Sequence, residues 1–555
     1  MPIDRHSAKG CGAAVDAALA AEYRSRGWWS DATLSDHVRV YATERPTAAA
    51  FVTPGGSLGW AEYDRAADEL AAALLACEPE VGARVAIRLP DGPSYHVAQI
   101  ACERAGVVAV GLAPRAGSAE VAHLVAATGA GVVITHRRHR GSLAAEAVAA
   151  LPGAPLHVVV PCYEADRDWS VRVGGGVSNA PVDRALIDGR RLGPDDLWLI
   201  NSTSGTTGLP KCVVHHQNRW HYFSRMAIEN GGLGAGEVVL SVVPTPYGFG
   251  QWSSHFVPCY LGGTAVLSER FDAGETFDLI ARERATVLCA VSTQLRMLLA
   301  DRACADADLS SLRVVFTGGE PVPYEAARRL EDRAGAPVLN VYGSNEAGFV
   351  SGTSVHDPRE RRLRTAGRVP PGTEVRLGDA RDSLATGGDG QVSARGQVAS
   401  RGPSIGWGYF NDPDANDELF TDDGFVRGAD IVEIDTDGYL TVVGRTSDII
   451  IRGGKNISAT EVEAQVSAHP DVALASAVPI PDPMFGERVC VFVELSAGRN
   501  SLELDELASF LVGRGVTKEL LPERLVVLDA LPQSAGGKVA KADLKQRAAT
   551  LGASR

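Results

Sequence analysis

The sequence predicts an α/β protein with a large N-terminal domain of two doubly covered sheets plus a small β-barrel-like subdomain, and a small mobile α+β C-terminal domain. The chain has 555 residues, too many for one hydrophobic core at a typical domain size of about 150 residues. Short apolar segments alternate with helical patterns over most of the chain, which favours mostly parallel sheets with both faces covered. After residue 366 the pattern changes to short strands and glycine turns, which is typical of a β-rich subdomain.

The first sheet is predicted from the segment that ends near residue 160. Apolar residues at helical spacing predict a helix over residues 63–77, with further helices over 96–105 and 119–128. Strands are expected between them at residues 84–89, 107–112, 132–136 and 156–160. Residues 1–28 are Ala-rich and are consistent with either a frayed tail or a short surface helix.

The second sheet and the C-terminal domain follow further along the chain. Strands of the second sheet are expected at residues 238–244, 264–269, 286–292 and 312–319, and the β-rich subdomain over 366–444. From Asp448 onward come a helix, two strand patterns and a last helix. We therefore divide the chain into residues 1–447 and 448–555, with a hinge at residues 446–448.

Composition favours a cytoplasmic protein that meets anionic ligands in local pockets. The formal net charge is −14, which argues against a nucleic-acid or anionic-membrane surface. The nine cysteines are scattered without CxxC pairing, as expected of reduced thiols. No apolar run is long enough for a membrane span, and the N-terminus lacks the pattern of a signal peptide. We expect a monomer or a homodimer without nucleic-acid or membrane partners.

The stretch over residues 199–211 predicts a phosphate-binding loop. It reads LINSTSGTTGLPK, an apolar strand end followed by hydroxyl residues, glycines and a lysine. Glycine lets backbone N–H groups turn inward, hydroxyls donate hydrogen bonds, and Lys211 supplies a positive charge for phosphate oxygens. The loop is not a Walker A motif, because Leu209 and Pro210 separate Gly208 from the lysine. A solvated turn is the alternative for such a loop in isolation.

Four stretches, in order along the chain, resemble the core motifs of the adenylate-forming superfamily, which comprises acyl- and aryl-CoA ligases, peptide-synthetase adenylation domains and luciferases. They are STSGTTGLPK, NVYGSNE at residues 340–346, the run at residues 437–458 and LPQSAGGKVAK at residues 531–541. Four ordered motifs are far more specific than one. The phrases at residues 103–117 and 449–458 look most like CoA ligases for alicyclic and aromatic acids.

The resemblance implies a two-step reaction with ATP, Mg²⁺ and coenzyme A. A carboxylate is a poor acyl donor because its leaving group would be oxide. ATP therefore converts the acid to an acyl-adenylate and releases pyrophosphate, and a thiol then displaces AMP. The N-terminal domain would bind ATP and the acyl group, and residues 448–555 would form a mobile lid.

The resemblance also assigns the catalytic and nucleotide-binding residues. Lys538 is the expected catalytic lysine, Glu346 the Mg²⁺ ligand and Lys211 a phosphate contact. Tyr342 would stack on adenine, while Asp430 and Arg445 would hold the ribose. The remaining ATP and AMP contacts are expected at Thr203, Ser204, Gly205, Thr206, Thr207, Gly208, Gly319, Glu320, Asn340, Gly343 and Asn345. The ordinary alternatives are a solvated glutamate, a core tyrosine, a surface ion pair and a solvated lysine.

The acyl pocket is expected to be roomy and apolar. By similarity its walls come from Tyr247, Gly248, Phe249, Ser292, Gly318 and Gly343, although each could equally be a packing residue. The set contains three glycines and no charged side chain. An amino acid substrate would need a buried acid for its ammonium group, and the set offers none.

The hinge and the thiol path are assigned in the same way. Asp448 matches the hinge aspartate, and Gly453 and Gly454 match the glycines past which pantetheine reaches the site. The chain departs from the family pattern where Asn345 replaces Thr, Gly428 and Ala429 replace Thr and Gly, Ser447 replaces Lys, and Ala459 replaces Pro. We expect Asn345 to keep a donor and an acceptor for the α-phosphate, and we interpret the adjacent His215 and His216 as structural.

The prediction is an ATP-dependent carboxylic acid:CoA ligase whose substrate is an apolar alicyclic, aromatic or polycyclic terpenoid-like acid. The alternative is a stand-alone acyl-AMP ligase that loads a free acyl carrier protein, since the sequence ends soon after Lys538 and we expect no fused carrier. A luciferase-like oxygenase is a third reading of the same fold. A catalytically inactive binding protein should have lost Lys538, Glu346 or Lys211, and all three are present.

Overall fold

The protein is described here from a computed structural model. The structure describes residues 16–139, 142–162, 170–203, 210–319, 322–378, 392–453, 455–496, 498–533 and 539–552. In these segments the α-helices are α1 (Ala17–Ser25), α2 (Leu34–Glu44), α3 (Trp60–Leu75), α4 (Pro93–Ala105), α5 (Ser118–Thr128), α6 (Ala144–Ala149), α7 (Arg184–Arg190), α8 (Gln217–Gly231), α9 (Gly248–Gln251), α10 (Val257–Leu261), α11 (Ala273–Glu283), α12 (Ser292–Ala300), α13 (Tyr324–Ala334), α14 (Arg359–Arg364), α15 (Pro413–Leu419), α16 (Ala459–Val466), α17 (Leu504–Gly513) and α18 (Lys541–Gly552).

The strands are β1 (Ala49–Thr53), β2 (Gly56–Gly59), β3 (Arg84–Arg88), β4 (Val108–Gly111), β5 (Val132–Thr135), β6 (Arg138–His139), β7 (Ser142–Leu143), β8 (Leu156–Val159), β9 (Arg172–Val173), β10 (Gly176–Val177), β11 (Leu199–Ser202), β12 (Cys212–His215), β13 (Val238–Ser241), β14 (Thr264–Leu267), β15 (Val287–Cys289), β16 (Val314–Gly318), β17 (Val338–Ser344), β18 (Gly348–Gly352), β19 (Glu374–Gly378), β20 (Val392–Arg401), β21 (Val426–Asp435), β22 (Leu440–Arg445), β23 (Ile449–Arg452), β24 (Lys455–Ser458), β25 (Val472–Asp482), β26 (Gly486–Leu495) and β27 (Arg524–Val527). The expected strands of both sheets are present within a few residues of the predicted bounds.

Two eight-stranded sheets make up most of the N-terminal part. The first has the order β10-β9-β8-β5-β3-β4-β11-β12, and the second has the order β18-β17-β16-β15-β13-β14-β1-β2. Their inner strands pair in parallel, for example β3 with β4 and β15 with β16. The predicted α/β class is therefore confirmed. Strands β1 and β2 were not predicted; they come from the N-terminal segment before the first sheet and form one edge of the second sheet.

The β-rich segment and the C-terminal segment each form their own sheet. The strands β19-β20-β21-β22 are antiparallel neighbours, as the alternating pattern over residues 366–444 predicts. Strands β23 to β27 form a five-stranded sheet, and α16, β25, β26 and α18 match the predicted helix, two strands and last helix. A 3₁₀ turn at Thr446–Asp448 joins β22 to β23.

Helix α1 lies on the surface, which agrees with the surface-helix alternative for the described part of residues 1–28, and it is anchored near its end. Tyr23 in α1 is buried, and Trp29 is buried and donates from its indole N–H to the carbonyl of Pro403 at 3.0 Å. The segment that follows α1 thus ties the start of the described chain to the loop after β20.

Candidate active site

The carboxyl ends of the two large sheets meet, and buried amide groups join them. Asn201 in β11 donates from Nδ2 to the carbonyl of Pro246, which follows β13, at 3.0 Å. Asn345, directly after β17, donates from Nδ2 to Oδ1 of Asn201 at 2.7 Å. Ligands of open α/β sheets bind outside the carboxyl ends of the strands, so this junction is where a site is expected.

At the base of the predicted phosphate loop, Thr203 and Lys211 are hydrogen-bonded to each other beside the ends of β11 and β12. The backbone N–H of Thr203 donates to the carbonyl of Lys211 at 3.0 Å, and the N–H of Lys211 donates to Oγ1 of Thr203 at 3.1 Å. The ammonium nitrogen of Lys211 lies 4.8 Å from the ring centroid of Tyr409. Eight predicted site residues lie outside the described residues: Ser204, Gly205, Thr206, Thr207, Gly208, Glu320, Gly454 and Lys538.

Glu346 is half-buried beside the same tyrosine. The hydroxyl of Tyr409 donates to Oε1 of Glu346 at 2.8 Å, and the N–H of Gly406 donates to the carbonyl of Glu346 at 3.0 Å. Burial, and next the negative charge of Glu346, raise the pKa of Tyr409, which keeps the phenol protonated as a donor. A carboxylate oxygen held in this way fits Mg²⁺, which is usually bound by one or two carboxylates together with substrate phosphates.

Three residues that were assigned to the nucleoside lie together. The hydroxyl of Tyr342 donates to Oδ2 of Asp430 at 2.8 Å, and Nε of Arg445 donates to Oδ1 of the same carboxylate at 2.7 Å. Asp430 is 8% exposed, while the side chain of Arg445 is 49% exposed, so the carboxylate is buried and its arginine partner reaches solvent. Burial and the neighbouring carboxylate raise the pKa of Tyr342.

The other predicted nucleotide contacts flank this group. Gly319 follows β16 with a φ of +74°, a backbone conformation that favours glycine. The side chain of Asn340 donates to the carbonyl of Thr365 at 3.2 Å, and its backbone N–H donates to Oγ1 of Thr353 at 2.8 Å. Asn340 therefore anchors neighbouring loops as well as lying at the predicted site.

Aromatic rings stack next to the predicted acyl wall. Phe249 stacks on Trp252 with ring centroids 5.6 Å apart. Phe223 stacks on Trp252 at 4.7 Å and on Phe349 at 4.9 Å. A Cβ added to Gly248 would lie 3.4 Å from Cη2 of Trp220 and 3.5 Å from Oδ1 of Asn345, so a side chain at this position would contact both.

The glycines of the acyl wall do not by themselves create room. A Cβ on Gly318 would collide with the carbonyl oxygen of Val341, and one on Gly343 would collide with the carbonyl oxygen of Gly348. Close contact between strands requires glycine at both positions. These two glycines therefore do not indicate a roomy pocket.

The remaining wall residues lie at the same edge of the second sheet. Tyr247 is the residue before α9, and burial raises its pKa. Ser292 is buried at the start of α12. Neither is charged, in agreement with an uncharged pocket.

Asp448, the predicted hinge aspartate, contacts the last helix. Asp448 accepts hydrogen bonds from Nζ of Lys541 at 3.0 Å and from Nζ of Lys545 at 3.5 Å. Burial alone would raise the pKa of Asp448, but these ammonium groups outweigh it and hold that pKa below its usual value. Lys541 also pairs with Glu463 at 2.9 Å. Gly453 has a φ of +58° and donates from its N–H to the carbonyl of Phe485 at 2.8 Å.

Sequence reasoning missed three residues of this site: Asn201, Arg219 and Tyr409. Arg219 donates to the carbonyls of Asn345 at 2.9 Å and Glu346 at 3.3 Å. For Arg219, the only signal in the sequence was an arginine in a segment that forms a mostly buried helix, and no motif includes this position. His215 and His216 are both buried, as expected of structural residues.

Among the described residues, no helix combines the length and the apolarity that crossing a bilayer requires.

Comparison with known proteins identifies the family. Residues 38–410 match the model of the AMP-binding enzyme family, and residues 461–538 match the model of the AMP-binding enzyme C-terminal domain. A medium-chain fatty-acid–CoA ligase of Escherichia coli is 30% identical over 94% of this chain and 91% of its own. A 2,3-dihydroxybenzoate-AMP ligase of Bacillus subtilis is 30% identical over 95% and 96%. A 2-hydroxy-7-methoxy-5-methyl-1-naphthoate–CoA ligase of Streptomyces carzinostaticus is 30% identical over 96% of each chain.

Solved structures agree. The amide bond synthetase McbA from Marinactinospora thermotolerans is 27% identical with a TM-score of 0.77, over 93% of this chain and 99% of its own. The anthranilate CoA ligase AuaEII in complex with anthranoyl-AMP is 20% identical, and its TM-score of 0.81 over 95% and 98% of the two chains shows the shared fold. ATP, Mg²⁺ and coenzyme A serve such ligases as cofactors and co-substrates. The chain therefore belongs to the AMP-binding, adenylate-forming enzyme family and is an AMP-forming acid–thiol ligase.

Proposed function

We propose that this enzyme joins an apolar, ring-bearing carboxylic acid to coenzyme A through an acyl-adenylate. The observation that carries the proposal is Phe249, which directly follows Gly248, is only partly buried and stacks on Trp252. Behind it the stack continues into the core through the buried rings of Phe223 and Phe349. Flat aromatic faces favour planar or alicyclic ring substrates through dispersion and stacking contacts. An amino acid is disfavoured because the assigned wall residues carry no acid.

In the adenylation step, each group of predicted site residues would have a separate role. Lys211 and Thr203 would bind phosphate oxygens, while Tyr342, Asp430 and Arg445 would bind the nucleoside. Glu346 would hold Mg²⁺, which supplies neutralising charge to the phosphates when it is bound. Lys538, assigned by resemblance, would contact the carboxylate and the α-phosphate. Charge placed in advance where negative charge develops is the main expected source of rate enhancement.

The domain division at residues 447 and 448 is part of the proposal. The 3₁₀ turn at Thr446–Asp448 separates two sheets, and Asp448 pairs with Lys541 of the last helix. This contact would make Asp448 turn with the C-terminal domain, and one domain orientation would serve each half-reaction. We further propose a cytoplasmic monomer or homodimer, which the eight free cysteines among the described residues support.

A second candidate is a stand-alone acyl-AMP ligase that delivers its product to a free acyl carrier protein. The Bacillus subtilis relative, named as an AMP ligase for an aromatic acid, supports this candidate. Both candidates share the adenylation chemistry and differ only in the thiol.

The test combines purified enzyme, ATP, Mg²⁺ and a panel of acids with either coenzyme A or a phosphopantetheinylated carrier protein, followed by mass detection of thioesters. The panel contains benzoate-type, alicyclic and terpenoid acids, with acetate, medium-chain fatty acids and amino acids as comparisons. We expect ring acids to give the highest pyrophosphate exchange and coenzyme A to be the thiol that turns over. Best exchange with acetate, a fatty acid or an amino acid would refute the substrate proposal, and turnover with the carrier alone would establish the second candidate.

A further inference from the structure

Arg219 is a buried arginine beneath the predicted metal and phosphate residues. It lies in α8, is 2% exposed, and donates to the carbonyls of Ser404, Asn345 and Glu346 at 3.0, 2.9 and 3.3 Å. Carbonyl oxygens, rather than a carboxylate, therefore satisfy this guanidinium. Burial is costly for a cation and lowers the pKa of Arg219 to about 9. A residue placed at such a cost needs an explanation.

The arginine also begins a chain of hydrogen bonds whose directions are fixed. Nη1 of Arg219 lies 2.7 Å from Nδ1 of His215, and arginine has no acceptor atom, so Nδ1 must accept. Burial lowers the pKa of His215 well below its usual value, which keeps the ring neutral. A neutral imidazole that accepts at Nδ1 carries its proton on Nε2. That proton points to Oδ1 of Asn201, 2.7 Å away.

The next link orients Asn345. Because Oδ1 of Asn201 accepts from His215, the same oxygen faces Nδ2 of Asn345 at 2.7 Å, and Nδ2 of Asn201 faces Oδ1 of Asn345 at 3.2 Å. The second amide hydrogen of Asn345 points to the carbonyl of Ser202 at 3.4 Å. Both donors of Asn345 thus have partners within the protein. Its carbonyl oxygen, which lies next to Gly248, is the atom presented toward the predicted acyl wall.

We propose that Arg219 is a positioning residue for adenylation that sets Asn345 through His215 and Asn201, and holds the backbone of Glu346 directly. The proposal rests on the proposed function of the site. It explains why asparagine at position 345 is accompanied by a buried asparagine at position 201, since a side-chain amide pairs well with a second amide. It also narrows the expected role of Asn345, from a donor and an acceptor for the α-phosphate to an acceptor at the acyl wall.

The alternative is that Arg219 only stabilises the fold. Arg104 is a matched control because it is also fully buried and bonded through its guanidinium, in that case to Asp64, Asp68 and Ser35 near α2 and α3. None of these partners belongs to the predicted site. Arg219→Lys and Arg104→Lys should lower the melting temperature to similar extents, so a difference in ligand binding between them isolates the positioning role.

The first measurement is binding of ATP with Mg²⁺ to the purified variants, without any acid. We expect Arg219→Lys to weaken binding about 10-fold, a typical loss for residues that orient metal ligands, and Arg104→Lys to leave it within about twofold. Equal binding by the two variants would overturn the proposal. If the wild type binds ATP but forms no thioester with any acid, the proposed function fails while the binding data still decide this inference.

The second measurement is a double-mutant cycle on pyrophosphate exchange. The penalty of Arg219→Lys should shrink at least threefold in an Asn345→Thr background, because residues in one hydrogen-bond chain are not independent. An equal penalty in both backgrounds would contradict the link. His215→Asn serves if Arg219→Lys does not fold: it keeps an acceptor near the Nδ1 position and removes the bond to Asn201. We expect it to weaken ATP binding without a large change in melting temperature, and unchanged binding would again overturn the proposal.

Discussion

Tyr409→Phe tests the environment of the predicted metal ligand by the removal of one oxygen atom. The lost hydroxyl is the donor to Oε1 of Glu346 at 2.8 Å. The phenyl ring stays, so the contact between the ring and the ammonium of Lys211, at 4.8 Å, is retained. The substitution therefore isolates the bond that orients the carboxylate from the packing around it.

The size of the effect follows from the kind of bond. A hydrogen bond to a charged group contributes about 1.5–3 kcal/mol, which corresponds to a factor of roughly 10–100. Loss of a group that orients a metal ligand typically lowers metal affinity or activity by a similar factor. We expect the Mg²⁺ concentration for half-maximal pyrophosphate exchange to rise about 10-fold, with a lower maximal rate.

The assay is a Mg²⁺ titration of pyrophosphate exchange with the best acid of the panel. Tyr439→Phe is the matched control, since the hydroxyl of Tyr439 also donates to a carboxylate, Asp357, at 2.8 Å in the β-rich subdomain. The control should lose some stability and leave the Mg²⁺ dependence unchanged. An unchanged or lower half-saturating Mg²⁺ concentration in Tyr409→Phe would refute the idea that its hydroxyl positions Glu346 for the metal.

Three further predictions address charge. Glu346→Gln keeps the shape of the side chain and removes the anion, so exchange should fall on the order of 10²-fold; an unaltered rate and Mg²⁺ dependence would exclude the metal role. Lys538→Ala should abolish most adenylate formation yet convert supplied acyl-AMP and coenzyme A to thioester at nearly the wild-type rate, whereas equal slowing of both steps would contradict alternation between two domain orientations. Burial raises the pKa of Asp91 from 3.8 to about 7. The stability contributed by the neutral carboxyl is therefore fully present below pH 3.8 and is lost as the pH rises through 7. Because the residue as a whole is only half-buried, the free energy of unfolding should fall by roughly 1–2 kcal/mol over that range, and denaturant unfolding of Asp91→Asn at pH 4 and pH 8 should lack this decline.

Most inner strands of the two large sheets could be predicted from hydrophobic periodicity, because each is a short apolar run between helices. Strand β3 was expected over residues 84–89 and spans Arg84–Arg88. Strand β2 was missed because it is glycine-rich and mostly exposed, while β1 is an apolar run of five residues that was overlooked. The place of this hairpin at the edge of the second sheet depends on tertiary pairing with β14, which no local pattern records.

The residues predicted to bind the nucleoside lie together, while the side chains that orient the site were not predicted. Tyr342 and Arg445 come from two of the four motifs and Asp430 from the stretch between them, and the structure brings the three within hydrogen-bond distance. Tyr409 lies 63 positions from Glu346 in the chain and belongs to none of these motifs. A residue that contacts a site only through folding carries no signal in one sequence, so a motif shows which residues act and leaves out those that orient them.

The donor and acceptor roles of Asn345 illustrate this limit most clearly. Its chemistry permits both roles, and the sequence therefore predicts both. The choice is made by Arg219, because a group that can only donate sets the direction of every bond from His215 through Asn201 to the amide. The chemical character of a site can thus be decided by one buried cation that never touches the substrate, and a substitution at position 219 should change what position 345 can recognise.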